Sequence, residues 1–177
     1  MQSTKLITSG SRGKFSAAVF GMALCSALTI GKAQADDRCG PLSATYLLTV
    51  LNSDGSFASR QVFTLTEDGN VIVDDSGQGG VTGVFNPFTT AQGTWECGSR
   101  SSPTQANATT LDFSLPGSVA GGQTIGRDDY NITFHAVSKT ISGTIELRFF
   151  PLSGNPLVSP LPAPNSTFTF TGVRVTN

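Results

Sequence analysis

The chain has 177 residues, 38% hydrophobic and 13% charged, with a formal net charge of −1. That length is enough for one domain with a real core, and the charge lacks the basic excess that nucleic acid or an anionic membrane attracts. The single histidine, His135, rules out a multi-histidine zinc centre, so neither a metal nor a cofactor is expected.

Lys5, Arg12 and Lys14 precede an apolar run over residues 15–30, and Ala33-Gln34-Ala35 is followed by Asp36-Asp37. A basic start, an apolar run and an Ala-x-Ala site are the three parts of a secretory signal peptide. The run is short for a membrane span, which takes about 20 residues. Cleavage is expected near Ala35. Cys25, preceded by Leu24 rather than a small residue, leaves with the peptide. The mature chain is then a single domain over 36–177, exported to the periplasm or the medium, with no stable membrane anchor. It keeps seven Lys and Arg against twelve Asp and Glu, a net −5. Cys39 and Cys97 remain, and an even pair in an oxidising compartment is expected to form a disulfide. Closing that loop is worth about 4 kcal/mol in the chain-entropy account.

Past residue 36 no 3.6-residue apolar repeat runs the length of a helix. Short segments rich in Val, Ile, Thr, Phe and Tyr recur instead, at 44–51, 59–66, 70–74, 80–85, 91–97, 106–115, 129–137, 140–150 and 167–176. These nine predicted strands point to an all-β antiparallel barrel, with a sandwich as the alternative. Asp54-Gly55 and Asp68-Gly69 suit tight hairpins, and Ser138-Lys139 joins two strands almost directly, so sequential strands should be neighbours in a meander. Longer connections at 98–105, 116–127 and 153–165 are the mobile candidates. Four prolines in the last exclude regular pairing.

Alternation assigns faces. Tyr130, Ile132 and Phe134 share one side of their strand, opposite Asn131, Thr133 and His135. Ile141, Gly143, Ile145, Leu147 and Phe149 oppose Ser142, Thr144, Glu146 and Arg148. Phe168, Phe170 and Gly172 share a side with Arg174. The apolar side either fills a barrel or packs outward and leaves a wet cavity; both arrangements are open at this point.

Gly93-Thr94-Trp95 lies on a predicted strand, and Gly172-Val173-Arg174 closes the last one. Together with Leu111-Asp112-Phe113, and the runs 63–69, 143–149 and 170–175, this resembles the small exported lipocalin-like barrels of the calycin superfamily. The resemblance covers roughly residues 60 to 176. It implies an eight-to-nine-stranded meander barrel with structural roles for Trp95 at one end and Arg174 across its ring, a contact worth about 0.5–2 kcal/mol. Residues 79–93 are also similar to a stretch of the allene oxide cyclase and dirigent barrels. The first resemblance implies binding of a small, largely apolar molecule. The second implies a cyclase or isomerase. A non-catalytic structural or interaction module is the third expectation, with Phe149-Phe150-Pro151-Leu152 as an apolar patch.

Candidates for chemistry are few. His135 would serve as a general base if a carboxylate neighboured it. Glu146 and Tyr130 are the other catalytic candidates. Glu146 and Arg148, two apart on one strand face, are the polar anchors for a ligand if that face lines a cavity, and otherwise a surface pair. Asp128-Asp129 and Asp74-Asp75 read as solvated turns. No nucleophile elbow is present.

Overall fold

A computed structural model describes residues 37–99 and 104–176. The predicted signal peptide lies outside the described residues. After a 3₁₀ turn at Asp37–Leu42, eight strands follow: β1 Ala44–Leu51, β2 Phe57–Leu65, β3 Asn70–Asp75, β4 Ala91–Cys97, β5 Gln105–Phe113, β6 Thr124–His135, β7 Thr140–Pro151 and β8 Ser166–Arg174. Each pairs antiparallel with the next, and β8 pairs with β1, so the meander closes into a barrel. Closure leaves no free sheet edge, which answers the edge-pairing hazard of an all-β chain.

Two of the sequence expectations need correction. Residues 80–85 do not form a ninth strand. Gly80 and Gly83 adopt φ of 73° and 76°, and only an isolated bridge joins Val81 to Phe85. A Cβ at Gly80 would also lie 2.6 Å from the Pro87 nitrogen, so the segment is a folded loop. β6 starts at Thr124 rather than at 129, and this takes Asp128 and Asp129 out of a turn and into the barrel wall.

Contacts between strands that are not neighbours define the interior. Phe63 on β2 meets Tyr130 on β6 with ring centroids 4.9 Å apart, and Tyr130 meets Phe170 on β8 at 6.1 Å. These contacts cross the lumen, so the apolar side of each strand faces in. Tyr46, Leu48, Phe63, Tyr130, Ile145 and Phe170 are all buried there and fill the middle of the barrel. Gly172 allows this density, because a Cβ would lie 2.3 Å from Leu48 Cδ2.

One end is closed. Leu42 is buried and its carbonyl accepts from Tyr46 Oη at 3.0 Å. Trp95 is buried at the same end, donating Nε1–H to the Thr66 carbonyl at 2.9 Å. Arg174 lies opposite Tyr46 in the β1–β8 register. Cys97, which ends β4, is disulfide-bonded. The side chain of Cys39, its expected partner, lies outside the described residues.

Candidate functional site: a carboxyl recess at the open end

An up-and-down barrel puts alternate connections at the same end. The tight hairpins at 66–69 and 136–139 belong to the closed end, and the connections at 52–56, 76–90, 114–123 and 152–165 belong to the other. The face that carries the core also delivers three carboxyl groups to that second end. Gln61 opposes Asp75, and Gln61 shares the lumen side of β2 with Phe63. Asp112 lies two beyond Thr110 on the inward side of β5, and Asp128 lies two before Tyr130 on β6. Thr110 pairs directly with Asp128, and Asp112 with Gly126, so the two acids are diagonal neighbours about 7–8 Å apart at their Cα atoms.

Gly126 makes room for one of them. A Cβ there would lie 2.7 Å from Asp112 Oδ1, so the carboxyl rests against the bare backbone. Asp75 is a well-served acceptor, receiving Ser59 Oγ at 2.7 Å, Gln61 Nε2 at 3.0 Å and the Gly77 amide at 2.6 Å. Tyr130 Oη donates to Gln61 Oε1 at 3.3 Å, so the aromatic layer forms the floor beneath the acids. Thr110 is fully buried and its hydroxyl has no hydrogen-bond partner.

The electrostatics follow from this crowding. Burial, then the neighbouring Asp75, pushes Asp112 up to about 6. Burial, then Asp112, Asp75 and Asp129, pushes Asp128 up to about 8. Burial, then Asp128, Asp75 and Asp112, raises Tyr130 well above its ordinary value. Desolvation dominates at each, because a charge in a partly dry recess loses hydration that nothing there replaces. Both acids are nevertheless only partly covered, as groups on the wall of a recess are.

The connections above the recess are tied down. Asn86 Oδ1 accepts the Val119 amide at 2.8 Å, Asn86 Nδ2 donates to the Val119 carbonyl at 3.0 Å, and the Leu115 amide donates to the Pro87 carbonyl at 2.6 Å. The connection expected to be mobile at 116–127 is held by these bonds at Val119 and joins β6 from Thr124. The loops at this end expose Val84, Phe85, Leu115 and Leu152, and Phe149, two residues before the end of β7, is exposed on the lumen side. The open end therefore combines lumen-facing carboxyl groups with loops that expose apolar side chains.

The sequence candidates scatter. Tyr130 is in the lumen. His135 is exposed at the closed end of the outer face, its Nε2 2.8 Å from Ser142 Oγ. Glu146 and Arg148 face outward, away from the recess. They are more than a surface pair: Arg148 is buried, contacts Glu146 Oε2 at 2.5 Å and Asp129 Oδ2 at 2.8 Å, and donates Nε–H to the Pro162 carbonyl at 2.8 Å. Arg127 clamps Asp129 through Nε and Nη2 and reaches the Pro156 carbonyl at 2.7 Å. This ionic cluster pins the proline-rich strap to the barrel wall. The outer face of β5–β7 also holds a groove of about 420 Å³, lined by Gln105, Asn107, Asn131, Thr133 and Thr144 among others.

No family model, curated protein or solved structure matches this chain. The argument for function therefore rests on the recess. Sequence reasoning missed Asp75, Asp112 and Asp128. The available signal was the alternation itself, which carried back two residues from Tyr130 places Asp128 on the apolar side.

Proposed function

We propose that this chain is an exported, calycin-like barrel that takes a small, largely apolar molecule into its open end, with the molecule's polar group toward Asp75, Asp112 and Asp128. One observation carries the reading: three carboxyl groups face the lumen above a filled aromatic floor, at the end whose loops expose apolar side chains. Small-molecule sites combine an apolar lining with a few convergent polar groups in this way. The site is at the mouth and not in the middle of the barrel, because Phe63, Tyr130 and Phe170 occupy the middle. The export reading rests on residues 1–35, and a disulfide-bonded Cys97 is in keeping with an oxidising compartment. We assign its partner as Cys39.

A second reading is an acid–base cyclase or isomerase. It draws support from the two acids whose titrations bracket neutral pH, about 6 and about 8. A protonated Asp128 beside an ionised Asp112 supplies a proton donor and a proton acceptor in one recess.

Native mass spectrometry of the mature protein from its exporting host tests the first reading. A small-molecule mass that leaves on denaturation is expected. It should be lost from Leu147→Trp, since Leu147 opposes Asp128 and a larger side chain there fills the recess. A bare wild-type chain, or a mass retained by that folded variant, would count against an open-end site.

A further inference from the structure

Among the residues whose side chains are described, the recess gathers negative groups and no positive one. Asp75 comes from β3, Asp112 from β5 and Asp128 from β6, with Tyr130 as the other titratable group beneath them. The cations whose side chains are described lie elsewhere. Arg60 is on the outward side of β2, Arg127 and Arg148 are in the outer cluster, and Lys139 and Arg174 are at the closed end. Half-buried carboxyl groups crowded together favour a neighbouring cation, and no described side chain supplies one here. No group of His, Cys, Asp and Glu among the described residues is arranged to hold a metal ion.

Thr110 adds an independent observation. Its hydroxyl is wholly buried on the lumen side, directly across from Asp128, and has no partner. A buried hydroxyl left unpaired costs about 1–3 kcal/mol, so a donor that reaches it from the recess would be favoured. An ammonium group has three N–H donors and one positive charge. It can satisfy the Thr110 oxygen and two carboxylates together, and its charge opposes that of the cluster. A neutral alcohol brings one donor and no charge, and a carboxylate adds to the repulsion.

We propose that the open end of the barrel selects organic cations, specifically primary amines on an apolar chain, with the ammonium seated between Asp128, Asp112 and the Thr110 hydroxyl and the chain lying against the exposed apolar side chains of that end. This rests on the reading of the recess as a small-molecule site and names its ligand class. Seating a cation there stabilises the ionised acids, so binding near neutral pH displaces a proton. Affinity for the amine rises between pH 5 and pH 8 as Asp112 and then Asp128 ionise, with Asp75 and Tyr130 the remaining titratable groups that face the ammonium.

The test is isothermal titration calorimetry of the mature, disulfide-intact protein with hexylamine, hexan-1-ol and hexanoate. Each is run at pH 7 in two buffers of different ionisation enthalpy. Hexylamine is expected to bind at least about tenfold more tightly than hexan-1-ol and to release about one proton per molecule bound. Asp128→Asn should cut the amine affinity to near that of the alcohol and abolish the proton release. Thr110→Val should weaken the amine alone. Hexan-1-ol binding as well as hexylamine, with no proton released, overturns cation selection but leaves the open-end site standing. If neither ligand binds at millimolar concentration, the site reading fails and the inference with it.

Discussion

Asp128→Asn should make the protein more stable at neutral and alkaline pH, and the size of the effect follows from the recess. The carboxyl titrates at about 8 in the fold against 3.8 for an unperturbed Asp. Between those values the folded chain holds a proton that the unfolded chain has released. Stability is therefore intact below about pH 4 and falls as pH rises towards 8, by up to about 1.4 kcal/mol per pH unit for one proton. From pH 5 to pH 7 the upper bound is about 2.7 kcal/mol. Water reaches one side of the recess and screens the group, so about half of that is the working figure. Asn has nearly the same shape and carries no charge, so the variant loses this dependence. Asp112 keeps its own, which lies mainly between about pH 4 and 6 and is present in both proteins. Urea unfolding at pH 5, 6, 7 and 8, with the disulfide intact, gives the comparison. Wild type should lose roughly 1–2 kcal/mol more than the variant between pH 5 and 7. Two parallel stability profiles across that range would refute the burial argument for Asp128.

Three other perturbations probe the surroundings. Arg148→Ala leaves Glu146 without its cation and Asp129 with Arg127 alone, and it frees the Pro162 carbonyl. It should cost about 1–3 kcal/mol in urea unfolding, and proteolysis within 152–165 should accelerate. Gly126→Ala drives a methyl into the Asp112 carboxyl. The cost should be about 1–3 kcal/mol, with the Asp112 titration moved away from about 6 when followed by carboxyl NMR. Tyr130→Phe removes only the hydrogen bond to Gln61 and should cost about 1 kcal/mol, whereas Tyr130→Ala opens the aromatic layer and should cost about 3–5 kcal/mol, both by urea unfolding.

Much of the barrel was legible because period-two alternation is a local signal. Eight of the nine predicted segments are strands, and the apolar sides of β6, β7 and β8 face the lumen as their patterns implied. The false strand at 80–85 shows the limit of composition. Val81, Val84 and Phe85 suit a strand, but positive φ at Gly80 and Gly83 folds the segment on itself. The recess was not read for a related reason. Arg127-Asp128-Asp129 is a polar run, and such a run resembles a solvated turn. Alternation carried back from Tyr130 divides its members, Asp128 to the lumen and Asp129 to the outer cluster, and the register with β5 and β7 agrees. That Asp75 and Asp112 converge on the same end depends on barrel closure, which no short window contains. Glu146 and Arg148 were recognised as a pair. The burial of Arg148 is not legible there, because its cover includes the Pro162 carbonyl from a proline-rich loop.

Carboxyl-resolved NMR of the mature protein, titrated from pH 4 to 9 with and without a small apolar ligand such as hexylamine, tests the open-end site most directly. The expected result is that Asp112 and Asp128 titrate near 6 and 8 in the free protein. Both signals should move when the ligand is added, while that of Asp129 on the outer face stays in place. Ordinary carboxylate titration at both residues, with no response to any ligand of that class, would contradict a binding recess at this end of the barrel.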